Sequence, residues 1–476
     1  MVKAVVGDEA HLKAFEEAAL ASAPQAQAGL VVGKLSASSD RALVYSLLPT
    51  PPTEAGAPAC SLRAAPATAK PGKPKGKAPD ASLHFDVDWI AEHARQVSRM
   101  LLGGMSVIGV YVWASEASFK ATSPATLSQV VREVSHAWYG SGFGERLLIH
   151  ISYSPRRWAC RICDISSGSL RPCDFKYSKL LDSLQTFRCT YNFEIRSPVV
   201  RAEPFKKVTL KAINHLTDEV QNAKALIDGD LFLGDMSISS EGPHQVNFLI
   251  PFENSVPVEE CSSEGVSGLV LFAGSVSALA YLGPKESISE AISDLKADII
   301  ASLRSRLDII LDEADDDSTT NDLEKSPSQK ATQVIFHELR EPYSFSFPRR
   351  VLIPWLGGAY ICDYLQQSET IEDARERCKE VISLETVAES SSVLEPEGAA
   401  APRATLQSFW DMVPGACSSS PASFGLKDSR HSGQKDEESN RRQGKGGSLN
   451  ILAALFALLV ALIVGTAFTF SASRNS

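Results

Sequence analysis

Apolar residues recur at helical spacing at Leu12, Phe15 and Ala19, and this predicts a short amphipathic helix near the start of the chain. Gly29 to Leu35 and Arg41 to Leu48 are apolar runs of strand length around a Ser/Asp turn, which predicts a hairpin. Pro49, Pro51 and Pro52 end the second strand. The Ala/Pro/Gly/Lys-rich stretch 54–80 is expected to be a disordered insertion. Order resumes with Ile90, Ala94, Val97 and Leu101 on one helix face, entered through Asp86 and Asp88 and closed by Gly103-Gly104. An interior strand follows from Met105 to Trp113, then a helix carrying Leu127, Val130, Val134 and Trp138. Strands Arg146 to Tyr153 and Trp158 to Ile165 complete a first α+β block, 1–195.

A second α+β block, 196–384, begins with helix positions Ile213, Leu216, Val220 and Ile227. Val246, Phe248, Ile250 and Phe252 alternate as a half-buried strand, and Gly268 to Leu282 supplies one or two more. The stripe from Ile288 through Leu303 to Ile310 predicts a core-facing helix of about 25 residues. An acidic, solvated loop is expected at 312–329. The segment Phe345 to Tyr364 returns to order, with Gly357-Gly358 read as a turn. Composition from 385 to 448 shifts to Ser, Ala, Pro, Gly and mixed charge, the pattern of a flexible tether.

The strongest pattern lies at 449–470. Its apolar side chains are Leu449, Ile451, Leu452, Leu455, Phe456, Leu458, Leu459, Val460, Leu462, Ile463, Val464, Phe468 and Phe470, with no charge among them. As a helix this run spans about 33 Å, enough to cross a hydrocarbon core of about 30 Å. A transmembrane anchor is predicted, followed by a short luminal tail, 471–476. Arg441, Arg442 and Lys445 precede it and only Arg474 follows, so the bulk of the chain is expected in the cytosol. That is a tail-anchored layout in a single-pass membrane protein.

Composition narrows the function classes. The 476 residues carry a formal net charge of −10 and no basic stripe interleaved with aromatics, which argues against nucleic acid as a partner. Nine cysteines scattered through a long chain are expected as reduced thiols. Cys160 and Cys163, followed by Cys173 and Cys189, imitate a zinc spacing. Yet the pair sits in a strand pattern, where residues three apart face opposite sides and do not chelate one ion. The histidines are isolated, no phosphate-binding glycine motif occurs, and no cofactor is implied.

Several segments together resemble the odorant-response-abnormal (Odr-four-like) family of membrane adaptors. They are G-L-V-V-G-K at 29–34, L-P-T-P-P at 48–52, H-A-R-Q-V-S-R-M-L-L-G-G-M-S-V-I-G-V-Y at 93–111, R-R-V-L-I-P-W at 349–355 and the terminal anchor. The resemblance implies a degenerate Mpr1/Pad1 N-terminal (MPN)-like first domain in a protein held at the endoplasmic-reticulum membrane. It further implies a complex with a ubiquitin-fold-modifier-specific cysteine protease, or assistance to client membrane receptors. Active metalloproteases of the MPN fold carry two zinc-binding histidines where this chain has Val112 and Ala114, so the resemblance implies a scaffold without the metal and without catalytic residues. The alternative is a membrane-bound hydrolase of ubiquitin-like conjugates, using a metal or one of Cys160, Cys163, Cys189 and Cys362. A reporter fused to 440–476 should locate to the reticulum, and its appearance on mitochondria in fluorescence imaging would refute that targeting.

Overall fold

The computed structural model describes residues 2–36, 40–63, 81–136, 144–200, 205–234, 242–250, 266–319, 343–345, 347–366, 368–382 and 397. The predicted anchor and most of the predicted tether lie outside them, as do Trp138 and Phe252. Among the described residues, no helix is long and apolar enough to cross a membrane.

The chain opens with β1 (Ala4–Asp8), α1 (Glu9–Ser22) and a hairpin of β2 (Ala26–Ser36) and β3 (Arg41–Pro49). Asp8 starts α1 by accepting from the His11 amide, and its second carboxylate oxygen accepts the Leu180 and Leu181 amides at 3.0 and 3.2 Å. One short side chain thereby ties the first helix to a turn far along the sequence. A second hairpin joins β4 (Cys60–Arg63) to β5 (Ser82–Phe85). This corrects the expected disorder over 54–63: Cys60, Leu83 and Phe85 bury against the neighbouring helix, and that packing outweighs the loop-like composition. Residues 64–80 lie outside the described residues.

Next come α2 (Val87–Met100), β6 (Ser106–Ala114), α3 (Glu116–Ala121), α4 (Pro124–His136), β7 (Glu145–Tyr153), β8 (Arg156–Asp164), β9 (Leu170–Cys173) and β10 (Phe175–Ser178). Asp86 caps α2, and Ile90, Ala94 and Val97 are fully buried along its inner face. The expected glycine cap does not close this helix. Leu101 already turns extended, and Gly103 and Gly104, with φ of 72° and 82°, serve instead as a joint to the second sheet. There Gly103 bridges to Ala280, and a Cβ on Gly104 would strike the Asp294 carboxylate at 2.4 Å.

The first sheet runs β10-β1-β3-β2-β6-β7-β8-β9. β9 and β10 stand at opposite edges of this order, yet only Asp174 separates them in sequence. Consecutive Cα atoms are about 3.8 Å apart. The two edges must therefore meet, and the sheet curls on itself along one stretch of chain. Trp158 of β8 stacks on Phe175 of β10 at 5.4 Å across that seam. One face of the sheet packs against α1 through Leu12 and Ala19, and the other buries α2, α3 and α4.

The second sheet has the order β13-β12-β14-β11-β15-β16. Its strands are β11 (Gln185–Val200), β12 (Lys224–Ile227), β13 (Asp230–Leu231), β14 (His244–Leu249), β15 (Val266–Leu282) and β16 (Tyr343–Phe345), with α5 (Phe205–Asn222) and α6 (Ile288–Thr319) packed on it. It begins at Gln185, inside the segment first assigned to the preceding block. β11 and β15 pair in a long antiparallel ribbon from Gln185↔Leu282 to Val200↔Val266, so Gly268 to Leu282 belongs to a single strand. Ile227 leaves the helix pattern for β12, where Ala225 and Ile227 alternate inward. α6 reaches Thr319 rather than ending near Ile310, because no Gly or Pro interrupts it. The expected acidic loop therefore starts no earlier than 320, and the rest of it lies outside the described residues.

The chain then forms a hairpin of β17 (Arg349–Pro354) and β18 (Tyr360–Leu365), and α7 (Ile371–Ile382) follows it. The Gly357-Gly358 turn forms as expected, with φ of 51° and 84°. This hairpin covers the α2 side of the first sheet and also reaches the second.

Buried charge connects these pieces. Lys34 of β2 lies 3.1 Å from Glu286, in the turn from β15 into α6, and 2.6 Å from Asp294 near the start of that helix. Deeper, Arg350 of β17 forks onto Asp298 of α6 at 2.7 and 3.0 Å, and Asp298 also accepts the Leu279 amide. Beside them, Arg306 of α6 places Nη2 2.7 and 2.6 Å from the two carboxylate oxygens of Glu397. Glu397 also accepts the Ser277 and Arg350 amides at 2.8 and 2.7 Å. This residue falls in the stretch 385–448, read from its composition as tether. Its carboxylate completes a buried network that nothing nearby in sequence announces. Glu397→Ala should destabilise the protein by about 3–5 kcal/mol in urea unfolding, because it strands a buried guanidinium and two amides; a loss below about 1 kcal/mol would show the contact to be incidental.

Candidate functional site

The first candidate position is the end of β6, where the resemblance implies that Val112 and Ala114 replace zinc-binding histidines. β6 lies between antiparallel β2 and parallel β7, and every residue from Val107 to Ala114 is buried. Val112 and Ala114 point into the core shared with α2 and α4, whereas Tyr111 and Trp113 point to the opposite face. Immediately beyond, Ser115 accepts the Ser118 amide at 3.1 Å and starts α3. That short helix escapes sequence reading because its apolar content amounts to little more than Phe119.

Phe119 fills the space beside the strand end. His150 of β7 stacks flat on it, with ring centroids 3.9 Å apart, and its Nε2 lies 3.2 Å from the Ala114 carbonyl. The Arg161 guanidinium covers the Phe119 ring at 4.9 Å. Burial pushes the His150 pKa down to about 4, although its bond to Ala114 opposes the shift. The imidazole is thus neutral at physiological pH and wedged between an aromatic ring and backbone. His150 is the one titrating group packed directly on the Ala114 end of the strand among the contacts described.

Cys160, Cys163, Cys173 and Cys189 do not converge on one point. Cys160 and Cys163 lie on β8 with their side chains in cores on opposite faces of the sheet, as strand alternation requires. Cys173 sits opposite Cys160 on β9, Cys189 belongs to the second sheet, and Cys362 is buried in β18. Burial pushes the thiols of Cys160 and Cys189 up to about 12 and raises those of Cys163 and Cys362. Such thiols remain protonated at neutral pH and are poor nucleophiles. Among the described residues, no group of three or more His, Cys, Asp or Glu is placed to hold a metal ion.

Sequence reading passed over Lys34, Glu286, Asp294, Asp298, Arg306, Arg350 and Glu397, the residues that cluster most tightly. A signal was present in part: Lys34 interrupts a largely apolar strand, and Arg350 adjoins the apolar run Val351 to Pro354. Charges at such positions are buried only when paired.

A family model described as Odorant response abnormal 4-like matches residues 29–393 of this chain. The mouse (Mus musculus) protein odr-4 homolog is 24% identical over 396 residues, covering 77% of this chain and 80% of that relative. The human (Homo sapiens) protein odr-4 homolog is 27% identical over 337 residues, covering 64% and 71%. Among solved structures, the crystal structure of UfSP from C. elegans aligns with a TM-score of 0.37 at 9% identity, covering 82% of this chain and 59% of that one.

The low pKa of His150 fixes a pH dependence. Its ordinary value is about 6.5, so the fold favours the neutral form, and the stability it contributes is complete above pH 6.5 and lost as pH falls through about 4. Between those limits wild type should lose about 3 kcal/mol more than His150→Gln in denaturant titrations; parallel curves for the two proteins would contradict the assignment.

Proposed function

Since the chain belongs to the Odorant response abnormal 4-like family, we propose that it is a non-catalytic, tail-anchored adaptor of the endoplasmic-reticulum membrane. Its folded part recruits a ubiquitin-fold-modifier-specific cysteine protease, or assists folding and trafficking of membrane receptors, or does both. The family match over most of the chain carries this reading. Two features of the fold support it: Val112 and Ala114 are packed in the core with no metal-binding atom, and Cys160, Cys163, Cys189 and Cys362 are buried with thiols held protonated. The rival hydrolase reading needs an accessible thiolate or a metal cluster, and neither occurs among the described residues.

In this reading the first domain is a degenerate MPN-like scaffold that keeps the strand and helix packing of a hydrolase without its chemistry. The helix at 449–470 anchors it, and the tether before the helix sets its reach. Even shortened to begin after Glu397, a coil of about 50 residues has a typical span of roughly 40 Å. Anchoring raises the effective concentration of a docked protease near membrane substrates without any new contact.

Co-purification of detergent-solubilised full chain and of a version ending at Gly447 tests the reading. Both versions should recover the protease, which would assign docking to the folded part and leave the helix as anchor alone. Failure of both, with membrane receptors recovered by the full chain, would replace protease recruitment by a receptor-chaperone role. Turnover of a ubiquitin-like fusion, abolished by a single change at Cys160, Cys163, Cys189 or Cys362, would establish the hydrolase instead.

A further inference from the structure

A groove of about 320 Å³ runs between α2 and α6. Its α6 wall is built from Ala297, Ala301 and Ser305, small residues at successive turns, with Ile300 beside them; Ser98 and Leu101 form part of the α2 wall. From Ala297 to Asp308 the groove follows about 17 Å of helix. Small side chains keep the two helices from filling the space between them. The resulting trough is elongated and mostly apolar.

Its rim is basic. Arg95 and Arg99 project from α2 and Arg304 from α6. Arg95 pairs with Glu92 on its own helix, but among the described residues no ion pair engages Arg99 or Arg304. Asp308, the acidic residue of the lining, is already engaged by another group.

The floor supplies an independent observation. It consists of Arg350 and Tyr364, both buried. The two Nη atoms of Arg350 are committed to Asp298 and the Ser277 carbonyl and the Cys362 thiol lies beside the guanidinium, but its Nε–H has no oxygen or nitrogen acceptor among the described atoms. A buried donor without an acceptor is uncommon in folded proteins, and here it lies at a groove whose rim carries positive charge.

We propose that the α2/α6 groove is a docking site for an acidic peptide segment of a partner protein, with an apolar side chain seated between Ala301 and Leu101 and carboxylates on Arg99 and Arg304. The elongated shape suits a peptide rather than a compact metabolite, and the charge selects acidic over basic sequences. This assignment deepens the adaptor reading and rests on it for its biological use, but binding at the groove is measurable without knowing the partner.

The test is selection of 12-residue peptides from a random displayed library on the detergent-solubilised full chain, followed by affinity measurement on wild type, Arg99→Glu/Arg304→Glu and Ala301→Trp. Both variants are checked for wild-type thermal unfolding, and the charge reversal alters exposed or half-exposed positions, so it keeps the proposal falsifiable if the tryptophan disrupts folding. Selected peptides should combine Asp or Glu with Leu, Ile or Phe, and bind each folded variant at least tenfold more weakly. Basic peptides, peptides that bind the variants equally well, or no enrichment would each overturn it. If peptides fail while inorganic phosphate raises the unfolding temperature of wild type and not of the charge reversal, the groove belongs to small anions and the peptide assignment is wrong. The protease co-purification is scored separately. Peptide binding without protease recovery rejects the adaptor partner and keeps the groove, and the converse rejects the groove alone.

Discussion

Two arginines and two carboxylates, sealed from water, hold the described parts of this protein together. Arg306 and Asp298 come from α6, Arg350 from the β17/β18 hairpin, and Glu397 from beyond α7. A lone charge among them would carry a desolvation cost of several kcal/mol, so each tolerates burial only while its partner is present. The amides of Leu279, Ser277 and Arg350 occupy most of the remaining carboxylate capacity. Such a network adds little net stability over an apolar core of the same shape, yet it is intolerant of misplacement. It therefore fixes where α6 sits against β15, and where the late hairpin lies on both.

The same joint governs what the rest of the molecule presents. Lys34 brings β2 of the first sheet to Glu286 and Asp294, and the positive-φ glycines 103 and 104 permit the backbone to approach β15 and α6 closely. With those contacts set, α2 and α6 stand side by side with small residues between them, and the basic groove follows. Arg350 belongs to both arrangements, as a partner of Asp298 and as part of the groove floor.

At the other end, the first sheet closes its own edges. Because β9 and β10 are one stretch of chain divided by Asp174, the strands that would otherwise stand unpaired are covered by it. The end of β6 is packed just as tightly, with Phe119, His150 and Arg161 stacked where an open cleft would be needed for chemistry on a large substrate.

The amino-acid sequence by itself determined the local elements. Leu12 and Ala19 on α1, Ile90 to Val97 on α2 and the Gly29 to Leu48 hairpin are legible because side-chain periodicity depends only on neighbours a few residues apart. The opposite facing of Cys160 and Cys163 followed from the same rule, and the family resemblance from short motifs spread along the chain. Tertiary structure decided what composition obscured: Cys60 joins a strand because Phe85 and Leu83 share its core, and Ile227 exchanges a helical register for a strand. It also decided the pairings between distant charges. Lys34 with Asp294, Arg350 with Asp298 and Arg306 with Glu397 meet across long stretches of chain, and attraction of that kind leaves no periodic trace in sequence, since it exists only once the backbone has brought the partners out of water together.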